Sequence, residues 1–176
     1  MIRAIVHKFL RREDAFTSIQ FVFLLPLVTL VMGLTIEAGV LATRQVMLDR
    51  ALAEASRTLK LRSGLLPSQA ALIQQVCDTA VVFPDCTNSL TVEVAPIDTV
   101  AWDIGAEYIE CIDLDDPGFV PANEFRGGSD NTLVMLRICA TFEPLFPYVG
   151  LGAKLRRTGE RDYTIASAIA YVNEPR

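Results

Sequence analysis

Four cysteines and one cluster of carboxylates are the residues of this sequence with chemistry to offer. Cys77, Cys86, Cys111 and Cys139 form an even set. In an oxidising compartment such a set reads as two disulfides. Three pairings are open. Cys77–Cys86 is the simplest, joining a helix end to the loop that follows. It leaves Cys111–Cys139, which would tie an acidic segment to the non-core face of a strand. Loop closure would contribute about 2.7 and about 3.6 kcal/mol respectively, on a model whose mechanism is disputed. The intervals of 8, 24 and 27 residues between successive cysteines contain no Cys-x-x-Cys knuckle, which argues against zinc. Between Asp98 and Glu124 stand eight acidic residues and no basic one. Asp113-Leu-Asp115-Asp116-Pro-Gly118 invites a calcium reading, because hard cations select clustered carboxylates. The spacing does not match the EF-hand loop, however, and solvated acidic loops are common.

Much chemistry is missing. His7 is the single histidine and lies near the N-terminus, so no Ser-His-Asp or Cys-His arrangement can form later in the chain. Neither a Gly-x-x-x-x-Gly-Lys loop nor a Gly-x-Gly-x-x-Gly fingerprint occurs. A glycosidase-like carboxylate pair is conceivable in the acidic segment, but no aromatic cleft signal accompanies it, and Trp102 reads as packing on a sheet. A net charge of −5 leaves no basic footprint for nucleic acid. The expectation is a protein without catalytic residues, cofactor or metal.

The elements that must position the cysteines begin with an apolar run. No residue from Phe21 to Ile36 is charged; Glu37 interrupts, and AGVLAT continues to Thr43. As a helix, Phe21 to Thr43 would extend about 34 Å, against a hydrocarbon core of about 30 Å. Phe21, Phe23, Leu24, Leu25, Leu27, Leu30, Val31 and Leu34 cover every side of that helix, which suits lipid. A cleaved signal ending at Val40-Leu41-Ala42 is the rival. The run is long for a signal core, and Glu37 sits inside it. Arg3, Lys8, Arg11 and Arg12 precede the span, whereas residues 44–176 hold 12 Lys/Arg against 18 Asp/Glu. The positive-inside rule then places the N-terminus in the cytoplasm and the remainder outside.

Within the span, Pro26 removes a backbone hydrogen bond. Thr29/Gly33 and Thr35/Gly39 are small residues four apart, which would let another helix approach closely. Glu37 is costly at mid-bilayer and cheaper near the interface, where water or a partner subunit would meet it.

Beyond Thr43 the helix is expected to continue through 44–64. Val46, Leu48, Leu52, Ala55 and Leu59 recur at helical intervals, and Gly64 and Pro67 then stop it. Ser68 would cap a second helix through QAALIQQVCD. After Asp78 the period changes to two. SLTVEVAP, TLVMLRICATF and YTIASAIAYV read as strands, with AEYIECI as a weaker fourth. YTIASAIAYV is apolar on both faces, which suggests a central strand. Gly127-Gly128 before Ser129-Asp130 reads as a turn. The fold class is α+β: a long N-terminal transmembrane helix continuing outside the membrane, with a small antiparallel sheet domain. Its parts are a basic leader (1–15), the span (16–43), the extra-membrane helix (44–64) and an exported α+β domain with two disulfides (65–176).

The short basic leader, RREDAFTSIQFVFLLPL, the span running into ATRQVMLDRALAEASR, the paired cysteines and the closing IASAIAYVNEP resemble the TadE/TadG-like minor pseudopilins of the tight-adherence (Flp-type) pilus. The resemblance implies a pilin-like subunit of the bacterial inner membrane with a periplasmic C-terminal domain. Its partners would be other pilin-like subunits, the pilus assembly machinery and a prepilin peptidase. In that family the peptidase cuts after a glycine, and a glutamate stands at the fifth position after the cut, followed by an aromatic residue. The matching bond here is Ala15–Phe16, and the matching positions are Gln20 and Phe21. Alanine replaces the glycine and Gln20 the glutamate, so Gln20 offers hydrogen bonds but no charge to a neighbour's N-terminal amine.

Overall fold

The computed structural model of the chain describes residues 14–61, 66–101, 104, 108–116, 118–148, 150–154 and 162–175, with side chains from residue 19 onward. Residues 1–13 of the basic leader, Gly64 and Trp102 lie outside these residues. The chain divides into two compact units, Met1–Gly39 and Val40–Arg176.

Helix α1 runs from Asp14 to Leu61. Leu, Ala, Met, Arg and Glu, all strong helix formers, dominate its second half. In that half Leu48, Ala51, Leu52, Ala55 and Leu59 are buried on one stripe at intervals of three and four residues. Helix α2 (Gln69–Thr79) starts two residues after Pro67. The Ser68 hydroxyl accepts a hydrogen bond from the Ala71 amide at 3.2 Å, a cap worth about 1 kcal/mol. The helix ends where the Ala80 amide donates to the Val76 carbonyl at 2.8 Å. Helix α3 is a single turn, Cys86–Ser89, entered through Asp85 in the left-handed region at φ 48°.

Strands β1 (Leu90–Pro96), β2 (Leu133–Phe142) and β3 (Tyr163–Val172) form one antiparallel sheet in the order β1-β2-β3. Leu90, Val92 and Val94 of β1 are opposite Ala140, Ile138 and Leu136 of β2, and these are opposite Ile165, Ser167 and Ile169 of β3. This face packs on the α1 stripe and on Leu72 and Val76 of α2, forming the core. The Ser167 hydroxyl donates to Asp49 of α1 at 2.6 Å, and Lys60 reaches Glu174 at 3.4 Å. Helix α1 therefore runs along β3 in the same direction as the strand.

The order of strands differs from the expectation in one respect. YTIASAIAYV is an edge strand, and TLVMLRICATF is central. The apolar residues on the second face of β3 are the small Ala166, Ala168 and Ala170 and the terminal Val172, all of which remain exposed. Alanine alternating with larger residues reads as burial on both faces, but its small side chain loses little in water. AEYIECI is not a strand over its described residues 108–112; side-chain bonds and a disulfide hold it instead.

The turn before β2 depends on the chain's end. Asn131 sits at φ 60°, in the left-handed region that asparagine tolerates. A Cβ on Gly128 would lie 2.7 Å from the Thr132 side chain, so this position requires glycine. Buried Asn173 donates to the Gly128 carbonyl at 2.8 Å and to the Ser129 carbonyl at 3.3 Å.

Candidate functional site

The first half of α1 is the most unusual surface. From Ile19 to Ile36, twelve large apolar side chains are exposed, Phe23 at 77% among them. About 1.5–3 kcal/mol is at stake for each such side chain. Leaving them in water would cost as much as a domain's entire folding stability of about 5–15 kcal/mol. This helix is long and apolar enough to cross a membrane, with a stretch of mean hydropathy 2.3.

Of the positions that matched the processing pattern, Ala15 and Phe16 lie within α1, and their side chains are outside the described residues. Gln20 and Phe21 are both exposed. The small-residue positions differ among themselves. Thr29 donates to the Leu25 and Pro26 carbonyls at 3.0 Å, and Thr35 donates to the Met32 carbonyl at 2.8 Å. Both hydroxyls are thus engaged by their own helix, Thr29 beside Pro26, leaving mainly their methyl groups for a neighbouring helix. A Cβ on Gly39 would meet nothing within 4 Å, whereas Gly33 is half-buried. Glu37 is only 1% exposed, so its carboxylate does not reach outward to interfacial water.

In the Val40–Arg176 unit the cysteines are paired Cys77–Cys86 and Cys111–Cys139, with Cα separations of 5.8 and 5.6 Å. The first ties the end of α2 to α3. The second fixes the acidic segment to the outer face of β2, where the Thr141 hydroxyl also donates to the Ile112 carbonyl at 2.7 Å. Farther along that face Arg137 meets Glu93, its cross-strand partner, at 3.2 Å, and donates to the Ile104 carbonyl at 3.0 Å. Both charged side chains are buried. Burial pushes the Glu93 carboxyl above its ordinary range, and the Arg137 guanidinium pulls the other way. Breaking such a pair by removing one partner typically costs about 3–5 kcal/mol. The outer segment closes on the sheet edge: the Val94 amide donates to the Glu124 carbonyl and the Arg126 amide to the Val94 carbonyl, around a Val94–Phe125 bridge.

The tether gathers three carboxylates. Carboxylate oxygens of Asp113, Asp115 and Asp162, one from each, all lie within 4.8 Å of one another. Asp113 and Asp115 belong to the acidic cluster visible in the sequence; Asp162 arrives from the start of β3. Calcium takes six to eight oxygens, and three carboxylates with Asp115 facing solvent do not fill such a shell. Asp98 accepts hydrogen bonds from the Val100 and Ala101 amides, which hold its carboxyl below the usual range.

Sequence reasoning missed Arg137, Asp162 and Asn173. Arg137 carried a signal, a charge at an alternate position inside an apolar strand run, opposite a charge in another run. Asp162 and Asn173 flank β3 and owe their places to distant residues, the carboxylates of Asp113 and Asp115 for the first and the Gly128 and Ser129 carbonyls for the second. Compared with known proteins, the chain matches no family model, no curated protein and no solved structure.

Proposed function

We propose that this protein is a single-pass, membrane-anchored subunit whose head works outside the membrane by association rather than catalysis. The observation that carries the reading is the helix from Ile19 to Ile36, exposed and apolar on every side. Lipid is the environment in which that surface is stable. The net positive leader before it and the disulfide-linked acidic unit after it fit a cytoplasmic N-terminus and an oxidising exterior. The finer reading is a minor pilin-like subunit of the bacterial inner membrane, needed to assemble a tight-adherence pilus. It rests on the resemblance of the N-terminal third and the Asn173-Glu174-Pro175 ending.

Intact mass from purified membranes without reductant tests the anchor, leader removal and disulfides together. The expected species sits in the membrane fraction and carries two disulfides; a mass that begins at Phe16 would establish leader removal. Retention of Met1 would remove the processing step and leave the anchor. Full-length protein in the cytosol with four titratable thiols would overturn the whole reading. For the pilus, deletion should abolish the fibre, and wild type should restore it. Gly33→Leu combined with Gly39→Leu should not; full rescue by that variant removes the helix-packing claim. Crosslinks only to non-pilus proteins would instead favour a periplasmic binding or sensor domain outside any filament.

A further inference from the structure

The sheet of the Val40–Arg176 unit has two outer edges, and the chain treats them differently. In an antiparallel pair, successive residues point their N–H and C=O groups alternately toward and away from the partner strand. The Ile97 amide donates to the Leu133 carbonyl at 2.8 Å, so Leu133 points toward β1 and Val134 toward β3. The Asn173 amide donates to the Thr132 carbonyl at 3.2 Å, in the same phase. The outward positions therefore include Val92, Val94 and Pro96 on β1, and are Thr164, Ala166, Ala168, Ala170 and Val172 on β3. On β1 these groups are taken or missing. The Val92 carbonyl accepts from the Gln69 side-chain amide at 3.3 Å, and Val94 exchanges backbone bonds with Glu124 and Arg126. Pro96 has no amide to offer. On β3 no described residue bonds to any of the outward backbone groups.

The devices that keep an edge from pairing are absent from β3. It runs ten residues without proline, glycine or charge, and its register with β2 is unbroken by a bulge. Ala166, Ala168 and Ala170 are exposed and too small to shield the backbone beside them. Helix α1 leaves this edge open. Asp49 and Lys60 each follow a buried leucine, Leu48 and Leu59, and so lie about 100° around the helix from the buried stripe. This flank is the one that reaches Ser167 and Glu174. The helix thus meets β3 with its side, and Ile165 and Ile169 on the core face of the strand stay only partly buried.

We infer that the free edge of β3 pairs with β3 of a second copy of this chain, antiparallel and about a two-fold axis, so that two three-stranded sheets become one. A second copy is the occupant because the strand is its own complement. The register that uses every outward group sets Ala168 opposite Ala168, Ala166 opposite Ala170 and Thr164 opposite Val172. On the core face it sets Ile165 opposite Tyr171 and Ser167 opposite Ile169. The first is a β-branched–aromatic pair of the kind that stabilises neighbouring strands, and both isoleucines gain cover. No residue of β3 is charged, so no like charges meet within the pair. Just beyond its ends Glu174 comes opposite Asp162, which stands with Asp113 and Asp115; Lys60, already paired with Glu174, offsets that meeting. A two-fold contact closes at two copies, and the guarded β1 edges stop the sheet from growing further. The inference rests on the reading of the head as an associating part and gives that association a surface; it does not draw on the membrane anchor.

The test is the mass of the full chain in detergent, corrected for bound detergent, over a dilution series. Wild type should be a dimer that dissociates on dilution. Ala168→Lys sets two ammonium groups opposite each other on the axis and should raise the dissociation constant at least about tenfold. Ala168→Glu should do the same, and mixing the two variants should restore the dimer, which shows that both are folded and that this edge is the contact. Ala168→Pro removes an amide that faces outward rather than one bonded to β2, so it should give monomers with both disulfides intact. Ala122→Lys, exposed on the acidic segment, should dimerise as wild type does. A wild type that stays monomeric overturns the inference, as does a dimer indifferent to both charges at Ala168 or a mixture that stays monomeric. A dimer lost in Gly33→Leu with Gly39→Leu but kept in Ala168→Lys would place the contact on the apolar helix and overturns it too. Monomers that still crosslink to other membrane proteins refute the β3 edge alone; monomers that crosslink to nothing refute the associating reading as well.

Discussion

Helix α1 presents one secondary structure in two environments. From Ile19 to Ile36 its apolar residues point in all directions and remain exposed. From Leu48 to Leu59 they form a single stripe buried against the sheet. The amino-acid types overlap; the arrangement differs. A one-sided stripe can be covered by another element of the same chain, whereas an all-round apolar surface needs a solvent that is itself apolar. The lesson is that hydrophobic content alone does not separate a core helix from a membrane helix. The angular distribution does.

Four measurements would break or sharpen that contrast. The largest effect should come from reducing both disulfides, which act only on the second environment. Together they are worth about 6 kcal/mol by loop closure, comparable to a small domain's stability. Reduced protein should lose near-ultraviolet signal from the head at ordinary temperature and still partition into membranes. Release from the membrane on reduction would mean that the head, not the apolar half-helix, holds the chain there. Next, Leu52→Ala should lower head stability in denaturant by about 2–5 kcal/mol, the cost of a cavity under a buried leucine. Leu24→Ala, on the exposed half, should leave the same midpoint unchanged. Equal losses at the two positions would erase the distinction between the halves.

A charge reverses the ranking. Leu27→Arg should weaken insertion by about 2.5–3.5 kcal/mol at a central position, read as the fraction surviving membrane flotation. Ala53→Arg, exposed on the head half, should leave flotation intact. The smallest effect concerns pH. Burial pushes the Tyr171 phenol up to about 12 from its ordinary 10.0. Folded head keeps a proton that the unfolded chain gives up, so this contribution is complete below pH 10 and fades as pH rises toward 12. Denaturant midpoints should fall across that window and fall less in Tyr171→Phe. The span from Ile19 to Ile36 has no ionisable side chain, so membrane partitioning should stay constant over the same range.

Particular residues mark how far reading the chain could go. The run of uncharged residues after Gln20, the 3.6-residue spacing from Leu48 to Leu59 and the alternation in the three strand runs made the helix and the strands legible. Ser68 after Pro67 marked the start of α2. These are local signals, written in neighbouring residues. β3 misled because its alanines satisfy an apolar pattern while tolerating exposure. The acidic segment was visible as composition, but its lack of a strand was not, since a disulfide and bonds such as Thr141 to the Ile112 carbonyl replace a ladder there.

By itself, then, the sequence determined an all-round apolar helix that runs on into a one-sided one, three strands and an even set of cysteines after the apolar run, because periodicity and composition act over a few residues. Only the tertiary structure decided that β2 is central, that Arg137 and Glu93 face each other in a buried layer, that Asp162 joins Asp113 and Asp115, and that Asn173 fastens a turn more than forty residues upstream. Each of those depends on strand order and register. These are settled by which faces bury the most apolar area together, a quantity that no single stretch of the chain contains.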